Sequence, residues 1–161
     1  MSSGYNWRNT LTNFATISGT LAGFSIALIG LILGWSIADV VLFPSVTFGN
    51  VAVLLFGLTT ILFIAAAEFF LYAKSFDIFD LTSEYKNWLI QASPNQDWNK
   101  IWIESSNKLR LNEDYARRCY NVASLLLFVA LFFAIAPYNF VIALFISVSG
   151  FILAILQFKI K

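Results

Sequence analysis

The stretch that decides the fold is NFATISGTLAGFSIALIGLILGW, Asn13 to Trp35, which carries no charged residue. At a rise of ~1.5 Å per residue, an α-helix of this length crosses the roughly 30 Å hydrocarbon core of a bilayer. Three further stretches behave alike. Asn50 to Tyr72 holds one acid, Glu68, while Cys119 to Ala136 and Phe140 to Phe158 hold no charge. Pro137-Tyr138-Asn139 forms a turn signal between the last two. The third stretch is near the short limit for a span, so its helix is expected to begin earlier, in the polar segment before it.

Composition agrees with four spans. Hydrophobic residues make up 59% of the 161 and charged ones 12%, against roughly 45–50% and about 25% in soluble domains. One small core could not hide this much apolar surface from water, because a domain of this size still exposes much of its area. Lipid removes the difficulty. The opening Met1 to Arg8 lacks the basic region of a secretory signal, and the apolar run behind it is too long for a signal's core.

Orientation follows from the basic residues. Arg8 precedes the first span, and Lys159 and Lys161 follow the fourth. Lys74, Lys86, Lys100, Lys108, Arg110, Arg117 and Arg118 lie between the second and third. All ten Lys and Arg thus fall on one side of a four-span topology, and the loops Ser36 to Gly49 and Pro137 to Asn139 have none. Cytoplasmic loops carry the Lys/Arg excess, so the N- and C-termini and the central segment are expected in the cytoplasm. The pattern suits the plasma membrane of a prokaryote.

The central segment, residues 73–118, also holds seven of the nine acids and is close to neutral. Ser93-Pro94-Asn95 is a turn signal near its middle. The expected architecture is therefore all-α: a four-transmembrane-helix bundle whose second and third spans continue into a cytoplasmic helical hairpin with its tip at Pro94. Asp97 is the expected N-cap of the returning arm. Trp88, Trp98 and Trp102 either hold the two arms together or offer a docking face to a soluble protein, since Trp is enriched at interface hot spots.

The first span carries a seam of small residues. Thr16, Thr20, Gly23, Ala27, Gly30 and Gly34 recur at spacings of 4, 3, 4, 3 and 4, with GxxxG steps at Gly19–Gly23 and Gly30–Gly34. Lipid supplies no hydrophobic drive between helices, so close backbone approach must supply contact. The seam packs either inside the bundle or against a second copy of the chain, and Gly23→Leu is expected to disturb packing far more than Ala66→Leu. Ala143, Ser147, Gly150 and Ala154 make a weaker seam in the last span.

Glu68 is the one charged residue inside a span. Facing lipid is costly, so it is expected to face the protein interior or water, with Thr16, Asn121 and Ser124 at matching depth. That set reads either as a proton or cation site or as a hydrogen-bonded carboxyl fixing helix register. Asp39 is the one charge on the outer side, read as the outer mouth of a pathway or as a residue that caps its loop. Phe43, Pro44 and Phe48 are expected at headgroup level or folded back over the bundle.

The remaining chemistry is spare. A net charge of +1 points away from nucleic acid, which calls for a basic patch or stripe. The lone Cys119 leaves no internal disulfide, and the absence of histidine removes the common zinc and haem ligand sets. No cofactor and no catalytic role are expected. Ser18 to Ile29 resembles the pore helix of Orai calcium channels, but Leu31 stands where that family's acidic filter residue belongs, and the family is not assigned. Two functions lead: a homo-oligomeric structural or interaction protein of the bilayer that binds a cytoplasmic partner, or a homo-oligomeric ion channel with Glu68 and Asp39 as pathway charges. A secondary transporter is weakened by the short length and the absence of proline-broken spans.

Overall fold

The structure, a computed structural model, describes residues 7–34, 40–44, 46–76 and 83–159, and their side chains except at 7–8, 83–86 and 153–159. Its elements are α1 (Trp7–Gly34), β1 (Val41–Phe43), β2 (Val46–Thr47), α2 (Phe48–Ser75), α3 (Ser83–Ala92), α4 (Trp98–Ile135) and α5 (Phe140–Lys159). Among the described residues three helices, α1, α2 and α4, are long and apolar enough to cross a membrane. The described part of α5 is a shorter apolar helix.

Local chemistry sets the helix ends. Thr47, in extended conformation, caps α2 by accepting the Asn50 N–H at 3.1 Å. At the far end the Phe76 N–H returns to the Ala73 carbonyl, with Lys74 in the last turn to complement the dipole. Asp97 caps α4 as expected, its Oδ1 accepting from the Lys100 N–H at 3.1 Å. α4 then runs 38 residues without a break, about 57 Å at helical rise. The helix that carries the third apolar stretch therefore does begin well before Cys119. Pro137 follows its end, and Asn139 Oδ1 accepts the Ile142 N–H to start α5.

The inward faces are heptad seams. On α2, Gly49, Ala52, Phe56, Thr59, Phe63, Ala66, Phe70 and Ala73 are buried at spacings of 3 and 4. Phenylalanine occupies every seventh position (56, 63, 70) and Ala or Thr the positions between (52, 59, 66, 73). On α4 the matching row is Ala116, Tyr120, Ala123, Leu127, Ala130 and Ala134. The alanines recur at sevens, small where α2 is large. A 3.5-residue period keeps such a seam against its neighbour along the whole length. On its other side α2 meets α1 through Leu11, Ala15, Ser18, Ala22, Ser25, Ile29 and Ile32, also at heptad spacing. Phe14 stacks on Phe70 with centroids 5.3 Å apart, and Tyr120 meets Phe63 edge-on at 5.7 Å.

Among the described residues these contacts follow the order α1–α2–α4–α5, and they do not confirm the four-helix bundle expected. Within that described part α2 is central, α5 packs mainly on α4, and α1 touches α4 only marginally. Helices with one packed seam each stand at the edges, and only α2 and α4 are packed on two sides. α2 stops at Ser75, and α3 turns at residues 93–97 into α4, so a helix–turn–helix surrounds Pro94; packing of its two arms on each other is not confirmed among the described residues. A short antiparallel ribbon, with Val41 opposite Thr47 and Phe43 opposite Val46, is an exception to an all-α chain. Phe48 folds back onto Phe133, centroids 6.0 Å apart, while Phe43 and Pro44 are exposed.

Candidate functional site: the outward face of α1

The small-residue seam of α1 packs against none of the described residues. Thr16, Thr20, Gly23, Ala27, Gly30 and Gly34 are all exposed. A Cβ placed on Gly19, Gly23, Gly30 or Gly34 would meet nothing within 4 Å. The packed seam of α1 is the neighbouring register. Each outer residue follows an inner one by one or two positions, about 100° or 200° around the helix, so the two seams lie on opposite sides. Hence the expectation that Gly23→Leu outweighs Ala66→Leu in the packing of one chain is reversed. Ala66 is fully buried against α4, whereas Gly23 is open.

The outer seam is a groove with walls. Exposed Ile17, Phe24 and Leu31 recur at sevens along one flank, and Ile26 and Leu33 stand along the other. Its hydroxyls are already satisfied: Thr16 donates to the Thr12 carbonyl at 3.0 Å and Thr20 to that of Thr16 at 2.9 Å. The groove therefore presents backbone and small side chains with no polar atom demanding a partner. The weaker seam of the last span behaves in the opposite way. Ala143 and Gly150 are buried, Ser147 donates to the Phe128 carbonyl, and the Phe128 ring occupies the space a Cβ on Gly150 would need. That seam joins α5 to α4; Ala154 lies outside the described side chains.

The expected intramembrane polar site is not assembled. Glu68 is exposed. It follows the inward Ala66 by two positions, about 200° around the helix, which points it away from the core. Phe69 sits 5.8 Å from Tyr115 and Phe70 clusters with Ala116, so along the helix pair Glu68 is level with the turn carrying Arg117 and Arg118. Ser124 donates to its own helix at Tyr120, Thr16 lies on the outward face of α1, and Asn121 is half-buried. Among the described residues no hydrogen bond links these four. Asp39 lies outside the described residues.

Buried polarity lies elsewhere, at Ser18, Ser25, Thr59 and Thr60, between α1, α2 and α4. Ser18, Ser25 and Thr60 donate to the carbonyls four residues back. Among the described residues Thr59 Oγ1 has no hydrogen-bond partner. Sequence reasoning passed over these residues, although the heptad of Phe56, Phe63 and Phe70 sets the inward phase of α2 and places Thr59 on it.

The tryptophans divide. Trp88 is exposed on α3. Trp98 opens α4 and donates from Nε1 to the Ser93 carbonyl at 3.1 Å, which ties the turn to the helix. Trp102 is half-buried one turn on. Trp98, Trp102, Ser105, Leu109, Asn112 and Ala116 follow one another at spacings of 4, 3, 4, 3 and 4. They prolong the α2-packing seam of α4 beyond the end of α2, where Lys108 Nζ lies 5.6 Å above the Phe76 ring. At the boundary Arg117 Nε donates to Glu113 Oε1 at 2.9 Å.

No protein-family description, curated protein or solved structure matches this chain.

Proposed function

We propose that the chain is a four-span integral membrane protein, with its termini and central segment in the cytoplasm, acting as a homo-oligomeric structural or interaction protein. Copies meet through the outward groove of α1. One observation carries this reading: the most regular small-residue seam in the sequence lies wholly outside the protomer, on an edge helix, with open space at every glycine. A face that meets only acyl chains gains nothing from glycine, which costs about 0.8–1 kcal/mol of helix propensity per residue relative to alanine. A helix–helix contact gains close approach from it. The orientation rests on the ten basic residues, all on one side of the four spans. The part of α4 before Arg117, with α3, is then a cytoplasmic arm available to a soluble partner.

Disulfide trapping in membranes tests the contact. In a Cys119→Ser background, Gly23→Cys is expected to yield a covalent dimer on mild oxidation. Leu58→Cys, exposed on α2, is expected to stay monomeric. Failure of Gly23→Cys to cross-link, or equal cross-linking at Leu58, contradicts the reading.

Thr16 and Thr20 favour a second reading. Their side chains lie on the outward seam, so a ring of copies would set hydroxyls around its axis, with Glu68 at the cytoplasmic edge and Asp39 as the outer charge. Such a pore requires a ring rather than a dimer, and ion flux in liposomes that changes with Glu68→Gln.

A further inference from the structure

We draw no further inference here: the strongest candidate, the Trp98–Trp102–Leu109 face by which α4 prolongs its packing seam past the end of α2, is a half-buried apolar face, and nothing among the described residues shows what covers it.

Discussion

Exchanging small residues for leucine on the two faces of the helix layer separates folding of one chain from association of several. Ala66 is fully buried against Leu11, Ala15, Phe70 and Ala116. Three added carbons at Ala66 must displace rings or backbone, and overpacking of this kind costs about 1–3 kcal/mol. That is about a 5- to 150-fold shift in the unfolding equilibrium at roughly 1.4 kcal/mol per decade. Gly23 has nothing within 4 Å of where its Cβ would stand. Leucine there meets no neighbour in the chain and gains about 0.6–0.8 kcal/mol of helix propensity on scales measured in water. Ala66→Leu should therefore unfold at lower denaturant and Gly23→Leu should match the parent. The assay is SDS-titrated unfolding followed by tryptophan fluorescence, at a dilution where the chain is monomeric. A Gly23→Leu protomer as unstable as Ala66→Leu would refute the assignment of the α1 faces.

Other substitutions test separate contacts. Gly150→Ala should loosen α5 from α4 by about 1–3 kcal/mol, because the Phe128 ring fills the site of the new methyl. Phe128→Ala should restore most of the loss, and a double-mutant cycle with no coupling would count against that contact. Thr59→Val removes a buried hydroxyl without a partner and keeps its shape, so stability should hold or rise by up to about 1 kcal/mol; a clear loss would mean that the hydroxyl is bonded. Glu68→Gln should change protomer stability by less than about 0.5 kcal/mol, as exposed positions do; a loss of several kcal/mol would put Glu68 back inside the core.

Length and charge made the helices legible. The apolar runs Asn13–Trp35 and Asn50–Tyr72 and the turn at Pro137 read directly from apolar stretches and breakers, and Asp97 from its capping chemistry, although α2 runs on to Ser75. What the small-residue pattern did not reveal was phase. Two registers of α1 carry heptads, Leu11-Ala15-Ser18-Ala22-Ser25 and Thr16-Thr20-Gly23-Ala27-Gly30-Gly34, and small size alone does not tell which one meets α2. The direction of Glu68 depends on the same kind of phase, set on α2 by Phe56, Phe63 and Phe70, which leaves it exposed rather than grouped with Thr16, Asn121 and Ser124. Helix-compatible residues on either side of Pro94 make two helices legible, α3 and α4, while their packing on each other depends on contacts that no spacing in the sequence specifies.

The most direct test of the account is the oligomeric state of the full chain in nanodiscs, measured by native mass spectrometry beside Gly23→Leu and Gly30→Leu. The parent is predicted to be an oligomer and both variants monomers of unchanged protomer stability. A monomeric parent, or variants that assemble as the parent does, would contradict the claim that the outward face of α1 joins copies of this chain.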